Sequence, residues 1–455
     1  MRTLPRKTLR TLTYEVNRLF TPSSYFVPQS LEDLRSLTNP LAREVKLRDR
    51  PEIWLSDSGL ATFQTIVRRL HDQDISEGLA QYSDIWNTAK AVLGDLNSDG
   101  LATEDGAEFV QLIGEKLKEQ IATHTFVVPI YGVELKGVDG LRLGSFRITD
   151  ATPEKLKDLG ADPANENVRT FLDHAKHYLC LTATARGTTR AARSSFEARA
   201  HLATGVLAAV AASLYQRGAH AFRIGIVMRP EEGYGKASFL SWTDRTPSLS
   251  LTLQYATSQP LTIDEAMRAR IEGYSLCQYL FRIVESDART QLEEAIVRAL
   301  YWYADAHRDL LTEMRLLKYW SCVETFFSST TETTKSVVDG LVTILVSGPF
   351  PAVPVEEIDC FKRRLVQLYD SRSRATHGAK YGHVTDEDVG DFSQWVSWMI
   401  FNVLAFSGHG YATPQAVKTW VQARTKTEGP TRLSIASLVS RIRYWWRTYA
   451  PGSNR

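Results

Sequence analysis

Strand-forming signals in this 455-residue chain are confined to one central stretch, and that asymmetry limits its fold more than any other feature. Thr125–Tyr131 (TFVVPIY) is β-branched and aromatic. Leu141–Ile148 alternates apolar with polar or small residues, and His177–Ala185 is a further strand candidate. Ser195–Arg217 is Ala-rich with an apolar stripe, which predicts a long helix. Strands are expected again at Ala221–Met228, Ala237–Trp242 and Leu249–Tyr255, separated by Gly, Pro and Asp turn signals. Before Thr125 the chain reads as helix and loop, with helical spacing at Ser58–Gln73 and Gly106–Gln120.

Beyond Thr262 almost no strand pattern remains. Thr262–Glu265 (TIDE) has the residues of a capping box. Gln291–His307, Asp309–Phe327, Thr334–Val346, Val355–Asp370 and Asp386–Ser407 read as successive helices, broken most clearly at Gly348–Pro354 (GPFPAVP). The expected class is α+β, with strands flanking a helix as in a sheet covered on one face. The expected division is a mixed α/β region over 1–286, an all-α bundle over 287–410 and a basic tail over 411–455, with the first boundary near Ser286.

At 43% hydrophobic and 23% charged residues the chain falls among globular proteins, which excludes wholesale disorder and a collagen-like fibre. The 54 Lys+Arg against 52 Asp+Glu leave +2, so any attraction to nucleic acid or lipid must be local. The longest uncharged apolar runs, Leu202–Tyr215 and Trp395–Gly408, are 14 residues each. A bilayer needs roughly 20, so both are expected as buried helices and no membrane span is expected. Four scattered cysteines make neither a disulfide framework nor a CxxC site, and a cytoplasmic location is expected. The N-terminal MRTLPRKTLRTLTY lacks the apolar core of a secretory signal and reads as a frayed basic end.

Several familiar signatures fail on inspection. Gly233-Tyr-Gly235-Lys236 has Pro230 where a phosphate-binding loop needs its first Gly. Asp95–Gly100 (DLNSDG) copies the opening of a calcium loop, but position twelve is Gly106 instead of a bidentate Glu. His174 and His177 have HxxH spacing without a third ligand, and read as surface histidines. No cofactor is expected.

One segment stands apart: Leu368–Gly378 (LYDSRSRATHG), a YDxRSxxxHG string within a helical region. Here the chain resembles the HEPN superfamily of nucleotide-binding helical domains, and within it the Apea-like branch of phage-defence proteins. The family signature is Arg, a polar residue, a few residues and then His, and Arg372, Ser373 and His377 match it. Arg298–Ala306 (RALYWYADA) and Leu316–Phe327 (LLKYWSCVETFF) resemble the first two family helices, with Glu324 in the place of a recurrent acidic residue. Two departures stand beside the match. Ser373 replaces the usual Asn or Asp, and Thr334–Val346 lacks an Arg often present in relatives.

The resemblance implies a metal-independent endoribonuclease acting on RNA, a homodimer with a composite site, and a front region that senses an unknown phage-derived or protein trigger. Tyr369, beside the motif, sits where some relatives carry a modified tyrosine. The residues support the chemistry on their own terms. Cleavage at a 2′-hydroxyl needs a base, an acid and positive charge on phosphate. Histidine titrates near neutrality, and arginine presents a permanently charged fork to phosphate oxygens.

On an ideal helix Arg372 and His377 stand about 140° apart, whereas Arg374 and His377 share a face. Either the helix ends within the motif, which Ser371, Ser373 and Gly378 favour, or Arg374 is the working cation. A catalytically silent module that recognises a protein or nucleotide is the alternative to the nuclease. Residues 418–455 carry eight Lys/Arg against one Glu, with Ile435, Leu438, Ile442, Trp445 and Trp446 at helical spacing. They are expected to form a terminal helix packing its Trp face on the bundle, with RNA or an anionic membrane as the other readings.

Overall fold

The computed structural model describes residues 4–28, 30–48, 52–100, 105–214, 223–227, 236–241, 250–255, 260–328, 333–378 and 384–427. Its contacts define two compact units: Met1–Phe126 with Thr184–Glu197, and Val127–Ala183 with Ala198–Arg455. The change from helical to β-branched sequence at Thr125 coincides with the first of these divisions, and no division falls near Ser286.

The first unit comprises α1 (Arg6–Leu19), β1 (Tyr25–Phe26), α2 (Leu31–Ser36), α3 (Pro40–Arg43), β2 (Glu44–Val45), β3 (Ile53–Leu55), α4 (Asp57–Asp72), α5 (Tyr82–Ser98) and α6 (Gly106–Gln120). The three short strands pair antiparallel in the order β1-β3-β2. The basic N-terminal segment is helical from Arg6 onward. Leu12, Val16 and Leu19 recur at helical spacing and are fully buried, so one apolar face docks α1 while its charges stay on the other. They join Phe63, Ile66, Val92, Phe109 and Ile113 in a single core.

The calcium-loop lookalike is the end of α5. Asp95 accepts from Arg48 Nε at 2.9 Å and pairs with Lys116. Burial alone would raise its carboxyl, but hydrogen bonds and charge from Lys116 and Arg48 outweigh it and hold the group below the usual carboxylate range.

β4 (Ala122–Tyr131) carries the chain into the second unit. There follow β5 (Val133–Leu135), β6 (Leu141–Leu143), β7 (Phe146–Asp150), α7 (Pro153–Asp158), α8 (Glu166–Ala175), β8 (Leu179–Gly187) and α9 (Thr189–Leu214). Next come β9 (Gly225–Ile226), β10 (Lys236–Ser241), β11 (Ser250–Tyr255), β12 (Leu261–Ile263), α10 (Glu265–Gly273) and α11 (Ser275–Glu285). The bundle helices are α12 (Gln291–Arg308), α13 (Thr312–Phe327), α14 (Thr333–Ser347), α15 (Ile358–Gly378), α16 (Asp386–Gly408) and α17 (Pro414–Thr427).

A five-stranded sheet has the order β6-β7-β8-β4-β9, while β5 pairs parallel with β12 and β10 antiparallel with β11. The chain is therefore α+β, with its sheet ahead of a helical C-terminal part. The segment read as one strand over Leu141–Ile148 is a tight hairpin. It turns at Gly144, whose φ of 61° suits a residue without Cβ.

Segments on both sides of Ser286 share one interior, which is why no boundary falls there. Ser397 Oγ on α16 donates to the Ala209 carbonyl of α9 at 2.6 Å. Gly205 of α9 lies so close to α12 that a Cβ there would stand 2.7 Å from that of Ala304. His201 to Ala212 and Met399 to Phe406 are buried throughout, as the two uncharged runs predict. No helix among the described residues is long and apolar enough to cross a membrane.

The TIDE segment caps differently from expectation. Asp264, not Thr262, accepts the Met267 N–H at 2.8 Å, because Thr262 is held in β12 and donates to Glu134. His174 and His177 are both exposed. Most of the Gly233–Lys236 stretch and everything beyond Thr427 lie outside the described residues. The described start of the tail, α17, packs Trp420 against Phe406 of α16 with ring centres 4.8 Å apart.

Candidate functional site

The motif residues are positioned by the α13–α15 pair. α13 buries Leu316, Tyr319, Trp320, Val323 and Phe327, and α15 buries Leu365, Leu368 and Tyr369. Trp320 anchors the junction, with its ring 4.9 Å edge-on from Tyr369 and 4.4 Å from Phe392 of α16. Glu324 lies one turn beyond Trp320 on α13, and Arg372 lies three residues beyond Tyr369 on α15, so both project beside the same aromatic floor.

There they meet. Arg372 Nη2 lies 3.0 Å from Glu324 Oε1 and donates to Oε2 at 3.2 Å. Tyr369 Oη donates to Glu324 Oε1 at 3.2 Å, and the guanidinium carbon sits 5.4 Å from the Tyr369 ring centre. Burial and then the Glu324 charge push the Tyr369 phenol up, against the opposing charge of Arg372, so it is a protonated donor at neutral pH. The cluster is not sealed: the Arg372 and Glu324 side chains are 22% and 21% exposed. A guanidinium held between a carboxylate and an aromatic face has one fixed orientation, which is the preorganisation an oxyanion ligand exploits.

The helix expected to end within the motif instead runs unbroken to Gly378. Ser371 does not interrupt it, because its hydroxyl donates to the Gln367 carbonyl four residues back at 3.0 Å. Ser373 is half-buried, while Arg374 is exposed and reaches Ser371 Oγ at 3.4 Å. Arg374 is two residues past Arg372, on about the opposite face of α15, and does not enter the Glu324 cluster. His377 occupies the final turn, with its imidazole outside the described residues. Glu324, Tyr369 and Arg372 are thus brought together, while Arg374 is not.

Sequence reasoning missed the link from α15 to α16. Arg364 forms an ion pair with Asp388, which also closes the capping box at Thr385. Fully buried Arg315 of α13 reaches Asp386 at 3.4 Å. The acidic run Asp386–Asp388 at a helix start was the available signal. No family model, curated protein or solved structure matches this chain.

Proposed function

We propose that this chain is a metal-independent endoribonuclease of the HEPN type, acting in antiviral defence in the cytoplasm under control of a trigger sensed by its front region. His377 is the general acid/base and Arg372 grips the scissile phosphate, with Ser373 beside it and Arg374 as a second cation on the substrate path. Two copies supply a composite site. The observation that carries this reading is the fixed Arg372 guanidinium, 3.0 Å from Glu324 on the helix that bears His377. The chemistry needs a base, an acid and a cation, and these side chains supply all three without a metal.

The test is incubation of the purified protein and its His377→Ala variant with RNA, with and without EDTA. Chelator-resistant fragments that vanish in the variant are expected. Equal cleavage by the variant overturns the mechanism.

A second reading has its own support in the continuity of α15. An unbroken helix sets Arg372 and His377 about 140° and about 7.5 Å apart along the axis, which hinders convergence within one copy. On that reading the bundle is a non-catalytic dimerisation or recognition module for a protein or nucleotide. The two separate at the same experiment, because only the enzyme gives His377-dependent fragments.

A further inference from the structure

We propose that the cleft between the β6–β7 hairpin and helices α10–α11 binds a small phosphorylated molecule that also carries hydroxyl or amino donors, a nucleoside phosphate in size and chemistry. The inference does not rest on the ribonuclease reading, and the cleft shares no residue with the Glu324 cluster.

The hairpin register makes the case. Leu141 pairs with Ile148 and Leu143 with Phe146, all four buried, which turns the intervening pair outward. That pair is Arg142 opposite Arg147. Like charges directly across an antiparallel ladder destabilise it, so the hairpin carries two cations that its own fold disfavours.

They line a cleft of two adjoining lobes, about 820 Å³ and about 470 Å³, which share Arg142, Ser145 and Glu272. The larger lobe adds Arg282 and Glu285, and the smaller adds Arg147 and Arg268. Such volumes belong to small-molecule sites.

The carboxylates in the cleft are committed elsewhere. Glu285 accepts the Ser145 N–H at 2.5 Å and Glu272 accepts the Arg142 N–H at 2.8 Å, so both hold the hairpin backbone. Asp139 and Glu265 pair with Arg268 at 3.4 and 2.7 Å. Among the described residues, the Arg147 side chain makes no hydrogen bond or ion pair, although its backbone pairs in the ladder between Arg142 and Thr182. Arg282 lies over the Tyr279 ring at 4.7 Å with no carboxylate at ion-pair distance among the described residues, and among them the Arg142 side chain donates only to the Gly144 carbonyl at 3.1 Å. Three arginines that line the cleft thus have, among the described residues, no carboxylate at ion-pair distance, and their guanidinium forks are suited to phosphate oxygens.

Charge selects the kind of phosphate. Four arginines (142, 147, 268 and 282) against three carboxylates (139, 272 and 285) leave the lining only one charge positive. A nucleic-acid strand is held by cations spaced along its backbone, whereas here the arginines lie within one pocket and are interleaved with carboxylates. The remaining lone pairs of Glu272 and Glu285 accept from a ligand with hydroxyl or amino groups. Arg282 also stacks on Tyr279, whose hydroxyl reaches Glu293 of α12 at 3.0 Å and Ser407 of α16 at 2.9 Å. A ligand that draws on Arg282 thus acts on a residue held by the bundle.

Calorimetric titration and thermal melting of the full chain with ADP, ribose 5-phosphate, inorganic pyrophosphate and a short oligoribonucleotide test the site. Saturable binding of ADP or ribose 5-phosphate that raises Tm, tighter than that of pyrophosphate, is expected, weakened about tenfold or more by Arg147→Gln and by Arg282→Gln. Unliganded Arg147→Gln should melt at or above the parent, because the cross-strand repulsion is gone, and this separates lost binding from lost folding. No saturable binding of any probe at millimolar concentration, binding unchanged by both substitutions, or binding confined to an oligoribonucleotide would each overturn the proposal.

Discussion

Glu324 accepts from both Tyr369 and Arg372, so the acidic residue and the motif cation form one unit across 48 positions of sequence. On the proposed mechanism, Arg372→Ala removes charge stabilisation and should slow RNA cleavage about 100- to 1,000-fold. Loss of the His377 imidazole should cost about 100- to 10,000-fold. Single-turnover rates on a labelled RNA, with circular dichroism to verify folding, check both. A second residue-scale prediction concerns the thiols. Burial pushes Cys180 and Cys277 up to about 12, with the Asp150 charge adding to the effect at Cys180, and burial likewise raises Cys322 well above the ordinary thiol value. A thiol with a raised pKa is protonated below that pH and unreactive, since thiolate is the nucleophile. Alkylation of the native chain at pH 8 should therefore mark only exposed Cys360, with the other three reacting after denaturation, as peptide mass spectrometry would read. At this scale the sequence named the members of the cluster but not its orientation. Which face of α15 meets α13 depends on helix phase and on Trp320 packing, neither of which is written in a local motif.

Helices and their breaks were legible where one apolar stripe or one Pro/Gly cluster decided the matter. Gly106–Gln120 and the GPFPAVP interruption fall where the pattern placed them. Errors arose where a side chain found a partner, within its own helix or across the core, that outweighed its usual preference. Ser371 was read as a helix-ending residue and is accommodated by back-bonding, and the cationic stretch up to Tyr14 was read as frayed but is helical from Arg6 and buries Leu12. The same competition sets two stability predictions. Gly205→Ala gains roughly 1 kcal/mol of helix propensity, yet the new Cβ meets Ala304 at 2.7 Å and the Leu300 carbonyl at 3.1 Å. Overpacking of this kind costs about 1–3 kcal/mol, so denaturant melts should show a net loss or at best no gain. Asn402, fully buried on α16, accepts the Phe350 N–H at 2.7 Å and donates to the Phe350 carbonyl at 2.9 Å, which fixes the break between α14 and α15. Asn402→Leu strands both backbone groups and should destabilise by about 2–4 kcal/mol in the same measurement.

At the scale of the whole molecule the α+β class was legible because strand signals occupy one stretch of the chain. The division into units was not, because it depends on contacts between distant segments. Ser397 meeting Ala209 and Gly205 meeting Ala304 join the sheet-bearing half of the second unit to its helices, and no local composition shift records that. The unbroken α15 raises the remaining question of scale, since one copy holds Arg372 and His377 on faces about 140° apart. A site assembled from two copies removes that difficulty by letting a guanidinium from one meet an imidazole from the other. If each centre takes its guanidinium from one copy and its imidazole from the other, two inactive variants complement one another: a dimer of one Arg372→Ala chain and one His377→Ala chain keeps one of its two centres intact. Coexpressing the two variants in equal amounts should then restore about one quarter of the parent RNA cleavage, because about half of randomly paired dimers are mixed and each carries one working centre. No gain over the two variants alone would place a complete site in each copy, with Arg374, on the same face as His377, as the working cation.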